Sequence, residues 1–173
     1  MPPLLTLSRA LAGFVSAVGR LFAWLSLPLA GVIVFDVVTR RFLVLGSTKL
    51  QELEWHLHAA LFLFLLAYGY LRDAHVRIDI FRERFGPRAR AWIELFGCLL
   101  FLIPYSLLVT GFGVDFWLRS FVIDEGSAAT TGIPHRWIIK AAMPLGFALL
   151  FLAGLSVLLD RLSFLLAKEP AEE

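Results

Sequence analysis

Glu52, Glu54, His56 and His58 open an apolar stretch with carboxylate and imidazole groups four residues apart. On a helix, that spacing puts Glu52 with His56 on one face and Glu54 with His58 on another. Such a pair can ligate a metal or relay a proton, but a zinc site needs three or four converging ligands. His135 is the only other histidine expected on that side of the molecule. An electrostatically rich contact surface at a membrane boundary is therefore the favoured reading, and no metal is expected. Axial haem ligation is a second chemistry, with His56 and His135 as the available pair. His75 falls in the opposite loop, and His58 is rotated by about 200° from His56 on the helical wheel. Cys98, the sole cysteine, lies inside an apolar run and has no partner for an intrachain disulfide. The sequence shows no nucleophile and base pair, phosphate-binding glycine loop or cysteine cluster, so an enzyme is not expected.

The remaining charges beside apolar runs have structural readings. Asp36 precedes Arg40 by four residues, the spacing of a salt bridge in the last turn of a helix. Glu94 suits a helix N-terminus, and Lys140 can snorkel from its helix end to the head groups. Between the second and third apolar runs, Val76, Ile78 and Ile80 alternate with His75, Arg77 and Asp79. That alternation predicts a docked, extended entry to a short interfacial helix near Asp79 to Phe85, with Arg77 and Asp79 in structural roles.

The elements that must position these groups follow from composition. Of 173 residues, 59% are hydrophobic and 17% charged, more apolar surface than a soluble domain of this length can cover. Apolar stretches of about 20 residues recur at the length needed to cross a hydrocarbon core of roughly 30 Å. The expectation is an all-α membrane protein forming a single four-helix domain over 1–173, with spans at 21–42, 53–71, 91–112 and 137–159. The run from Leu21 to Val38 continues into Arg40 and Arg41, so it is read as a retained span rather than a cleaved signal. Segment 3–20 reads as an N-terminal amphipathic helix. Its stripe of Leu4, Leu7, Leu11, Phe14, Val18 and Leu21 lies on the cytoplasmic leaflet or extends the first span. Pro28, Pro104 and Pro144 predict kinks facing protein. Gly19/Ala23, Ser26/Ala30 and Ala142/Gly146 predict close helix approaches.

The net charge of +2 and pI near 9.0 are explained by lipid head groups, and nucleic acid is set aside. Ten Lys and Arg residues fall in the N-terminal, second-loop and C-terminal segments. The other two loops hold six: Arg40, Arg41, Lys49, Arg119, Arg136 and Lys140. This bias places both termini in the cytoplasm. No internal repeat is visible, which argues against a chain that transports a solute alone.

Several motifs stand in a characteristic order. Asp36-Val-Val-Thr-Arg40-Arg-Phe42 closes the first span and Glu52-Leu53 opens the second. His75-Val-Arg77-Ile-Asp79 follows, and Pro134-His-Arg-Trp137 with Pro144-Leu-Gly146 mark the fourth. Together they resemble the small membrane subunit of tripartite ATP-independent periplasmic (TRAP) transporters, the DctQ-like family. Gln51 departs from that pattern, since many relatives carry a second acid beside Glu52. The resemblance implies a non-enzymatic scaffold in the bacterial inner membrane, part of a sodium-driven importer of organic acids. Its implied partners are a large membrane transport subunit, which carries substrate and sodium, and a periplasmic substrate-binding protein. No cofactor is implied in this chain. Lys49, Glu52, Glu54, Arg119, Asp124, Glu125 and Arg136 are the candidate periplasmic docking residues. The alternative from another class is a haem-bearing four-helix membrane cytochrome, or the membrane anchor of an oxidoreductase.

Overall fold

The computed structural model describes residues 2–43, 46–74 and 85–167, and no strand occurs among them. The helices are α1 (Pro2–Ala23), α2 (Ser26–Phe42), α3 (Thr48–Leu71), α4 (Pro87–Gly97), α5 (Ile103–Val122), α6 (Trp137–Lys140) and α7 (Ala142–Leu166), with a π-helical turn at Cys98–Leu102 joining α4 to α5. His75, Arg77, Asp79 and the expected interfacial helix lie outside the described residues.

Three prolines set where these helices break. A proline removes one amide donor and crowds the carbonyl four residues before it. Pro28 thereby displaces the Trp24 carbonyl, which accepts from Leu27 N at 3.2 Å in the turn between α1 and α2. Pro104 lies just beyond the π turn, where the ladder widens to accommodate it. Pro144 is preceded by the break between α6 and α7 at Ala141. Only Pro144 of the three is buried; Pro28 and Pro104 are exposed, unlike the protein-facing placement expected of them. The carbonyl freed by Pro28 is served within its own chain turn, by Leu27 N, so no neighbouring helix has to cover it.

Among the described residues, three helical courses are long and apolar enough to cross a membrane: Pro3–Phe42 (40 residues), Pro87–Val122 (36 residues) and Trp137–Leu166 (30 residues). The second expected span coincides with α3, which has 24 residues. Its first turns carry Gln51, Glu52, Glu54, His56 and His58, which lower its hydropathy relative to the other three. Nevertheless α3 occupies the middle of the molecule, packed on α1, α2 and α7. Of the most apolar 18-residue stretch of each course, 50% is buried within the chain in the last against 11% in the first, which makes α7 the central helix.

The core joins Val15 of α1, Phe64 and Ala67 of α3, and Ala142, Leu149, Leu150 and Ala153 of α7. Phe22 stacks on Phe64 with ring centroids 3.7 Å apart. Lipid chains are as apolar as leucine, so helices in a bilayer associate through small residues and hydrogen bonds rather than through hydrophobic burial. On α1 the buried positions are accordingly Ser8, Val15 and Gly19, while Leu7, Phe14 and Leu21 of the apolar stripe are exposed. Ser8 Oγ donates to the Ser156 carbonyl at 2.9 Å, and Ser156 Oγ returns a bond to the Ser8 carbonyl at 2.8 Å. A methyl group on Gly19 would collide with Tyr68. Segment 3–20 thus packs on the bundle through its small residues.

Contacts along the helices fix the topology. Gly19 meets Tyr68 while Gln51 faces Arg40, so the α1–α2 course runs antiparallel to α3. Glu52 meets Ile133 and Leu63 meets Gly146, so α3 and α7 run parallel. Gly113 packs on Pro144 and Leu102 on Gly154, so α5 is antiparallel to α7. The result is an up-down bundle. One end gathers the α2–α3 connection and the loop before α6; the other gathers the start of α1, the end of α3, the start of α4 and the end of α7.

Candidate functional site

The polar groups singled out from sequence collect at the first of these ends, in two adjoining clusters. In one, Glu52 stands in the second turn of α3, a helix that Ser47 caps by accepting from Leu50 N at 3.4 Å. Its carboxylate is buried and points across to the loop at 123–136. Ile133 N donates to Oε2 at 2.6 Å and the Ser127 hydroxyl donates to Oε1. Ser127 Oγ also accepts from Ala129 N at 3.0 Å, and the turn closes with Gly132 N donating to the Ala129 carbonyl at 3.0 Å. A side chain at Gly132 would run into both Ser127 and Glu52. Thr131 Oγ1 reaches Thr48 Oγ1 at 3.3 Å, a second tie from loop to α3.

The ends of this loop are tied to each other as well. Arg136 N donates to the Glu125 carbonyl at 2.7 Å. Asp124 and His135 both adopt left-handed backbone, at φ 46° and 59°, the region where Asp and His are tolerated better than most residues. Asp124 Oδ1 lies 2.6 Å from His135 Nδ1 and accepts from the Trp137 indole at 3.0 Å. The Lys140 ammonium pairs with Glu125 and sits 4.2 Å from the centroid of the Phe116 ring. Lys140 thus has a partner inside the chain rather than reaching alone for head groups. Trp137 also meets Phe121 edge to face at 5.1 Å, which fixes the end of α5 against α6.

In the second cluster Asp36, which is 3% exposed, pairs with Arg40 through Oδ2. With the Gln51 carboxamide oriented so that its oxygen faces the guanidinium, Arg40 donates to it at 3.1 Å from Nη1 and 2.7 Å from Nη2. An uncharged acceptor at position 51 therefore completes the environment of Arg40. Glu54 lines a cleft with Asp36, Arg40 and Arg41.

The expected pairs on α3 separate as their spacing requires. Glu52 and His56 face the loop, where the His56 ring meets the Glu52 carbonyl, while His58 is exposed beside Leu61 and Phe62. His56 and His135 line a common apolar cleft with Leu53, Pro134 and Phe64. Among the described residues, no three His, Cys, Asp or Glu side chains converge as metal ligands. Pro144 and Gly146 are buried in the bundle, and Lys49, Arg119 and Asp124 are exposed at its end. Glu52, by contrast, spends both oxygens inside the chain. Sequence reasoning missed Ser127 and Gly132, although the run Gly-Ser-Ala-Ala-Thr-Thr-Gly before Ile133-Pro134 has the composition of a turn.

The family model for "Tripartite ATP-independent periplasmic transporters, DctQ component" matches residues 29–164. The chain belongs to the DctQ family. A comparison with curated proteins found no match. DctQ proteins are transporter components rather than a family of enzymes, and the matched stretch takes in α3, the loop and α7, leaving α1 outside it.

The loop of this DctQ chain carries a pH dependence. The Ile133 amide first, then the Ser127 hydroxyl, hold the Glu52 carboxyl below the usual carboxylate range, with Arg136 and His56 acting in the same direction against burial. His135, then the Trp137 indole, lower Asp124. Lys140 lowers Glu125. A depressed carboxyl pKa in the folded state stabilises fully above its ordinary value, and that contribution is lost as pH falls through the depressed value. The thermal midpoint of the purified protein should stay level from neutral pH to about 5 and fall below about 4. The combined variant Glu52→Gln, Asp124→Asn, Glu125→Gln should show a shallower acid limb. An unchanged limb would refute the assignment to this loop.

Proposed function

We propose that this chain is the small, scaffolding membrane subunit of a sodium-coupled importer of organic acids. It packs on a large transport subunit and helps to seat a periplasmic substrate-binding protein. The observation that carries this reading is the loop at 123–136, held by Glu52 to α3 and through Lys140 to α6. That loop forms a firm plate over one end of the bundle, with Lys49, Arg119 and Asp124 on its exposed rim. Charges of this kind accelerate and orient encounter with a partner more than they hold it.

In this reading α3 completes four spans: the loop covers Glu52 and His56, Glu54 turns into the cleft with α2, and the stretch after His58 meets hydrocarbon. Arg9, Arg72, Arg88, Arg90 and Arg161 belong to the opposite end of the bundle, which supports cytoplasmic termini and a periplasmic plate in the bacterial inner membrane. Substrate and sodium belong to the large subunit. The interior is filled by Phe64, Leu149, Leu150 and their small neighbours and by the reciprocal serine bonds of α1 and α7.

The test is gentle-detergent purification of the tagged chain from its native membrane, followed by reconstitution of whatever accompanies it. A larger polytopic protein is expected. In proteoliposomes supplied with the periplasmic binding protein, it should take up an organic acid only while an inward sodium gradient is maintained. Recovery with a soluble oxidoreductase and a Soret absorption band would instead establish the cytochrome or anchor reading, with His56 and His135 as its ligands.

A further inference from the structure

The Asp36 cluster contains something the loop plate does not explain. Asp36 is among the most enclosed polar side chains of the chain, yet only Oδ2 is used, by Arg40; Oδ1 is enclosed and accepts no hydrogen bond. On the facing helix, Oε1 of Glu54 is likewise enclosed and without a partner. Both residues line the same cleft, of about 460 Å³, between α2 and α3, with Ile33, Val37, Arg40 and Arg41. Arg40 is already committed to Asp36 and Gln51, and the Arg41 side chain is exposed. Two carboxylate oxygens removed from solvent therefore await donors that the described residues of this chain do not supply.

The surroundings say what kind of molecule brings them. Helix α2 packs on α3, and the apolar residues of α2 that line the cleft, Ile33 and Val37, are exposed. Acyl chains would cover those apolar side chains but donate nothing to a carboxylate. A membrane helix that carries an arginine, lysine or amide would cover the same surface and satisfy both oxygens. Charge-assisted bonds of this kind are strong and directional, so they fix the register of the helix that makes them.

We infer that the α2 face around Asp36 and Glu54 is the seat of a transmembrane helix of the large transport subunit, anchored by a hydrogen-bond-donating side chain inserted into the cleft. The inference rests on the transporter-subunit reading above. It adds which face of the small subunit is buried in the complex and by what chemistry.

The test uses the whole complex in native membranes, with a photoactivatable cross-linking residue placed singly at Ile33 or Val37 on α2, or at Leu107 or Leu108 on α5 for comparison. Cross-links from the α2 positions to the large subunit are expected. Separately, Asp36→Asn should lower recovery of the large subunit about tenfold or more, as for truncating one side of a desolvated charged pair, while the small chain alone remains monodisperse. If the large subunit co-purifies but the α2 positions capture only lipid, a second copy of this chain or the binding protein, the docking face is wrong and the transporter reading stands. If no membrane partner co-purifies at all, the transporter reading falls and this inference with it.

Discussion

Replacing Gly146 by alanine is expected to cost the bundle about 1–3 kcal/mol, the usual penalty for overpacking an already filled contact, and replacement by valine to cost more. A Cβ at this position would stand 2.7 Å from the backbone oxygen of Leu63 and 3.0 Å from its carbonyl carbon. Those are main-chain atoms in the middle of α3, so no rotamer change relieves the clash. The helices must separate, and with them the core residues Phe64, Ala67, Leu149 and Leu150. Gly111 on α5 provides the contrast, since nothing lies within 4 Å of a Cβ there. Gly111→Ala should leave the thermal midpoint in detergent unchanged or slightly raised, because alanine is favoured over glycine in a helix by up to about 1 kcal/mol. Equal midpoints for the Gly146 and Gly111 variants would show that α3 and α7 do not approach as closely as described.

Gly146 also illustrates what could be read in advance. Small residues four apart, prolines within apolar runs and an acid four residues before an arginine each act locally. The Ala142/Gly146 approach, the three helix interruptions and the Asp36–Arg40 pair were therefore legible from spacing, whereas Ser26 and Ala30, spaced the same way, are exposed. The face by which α1 packs was not. One edge of the apolar stripe, Leu7, Phe14 and Leu21, points outward, while Leu4 and Leu11 are half-buried and Val18 packs on the core beside Ser8, Val15 and Gly19. Amphipathicity reports the buried face only when water is the alternative; where lipid is the alternative, bulk goes outward and small groups permit contact. The count of spans was blurred for a related reason. The acids and imidazoles at the start of α3 lower its hydropathy, and the cover of Glu52 and His56 comes from a loop some eighty residues away in sequence.

That separation is why the role of Glu52 was the least legible part of the site, and why its loss is expected to be the most damaging single change at the loop. Its spacing to His56 suggested a ligand pair and its position suggested a docking charge, yet both oxygens are turned inward to Ser127 and Ile133. Glu52→Ala leaves the Ile133 amide and the Ser127 hydroxyl without their acceptor. It also removes the negative charge that Arg136 and His56 face. A buried donor without a partner is costly, so the loop should leave α3 rather than remain in place unbonded. Sites within 124–136 should become cleavable by limited proteolysis, and reconstituted uptake should fall to near background, while the bundle keeps its helical content. Glu52→Gln retains one carbonyl acceptor of nearly the same shape and should give an intermediate phenotype. A third variant separates presentation from support: Lys49→Ala alters the exposed rim without touching these bonds and should slow docking of the binding protein, more so at low salt, with the loop still protected. Wild-type uptake and protection in Glu52→Ala would mean that the plate is held by its Thr131, Asp124 and Glu125 ties without Glu52.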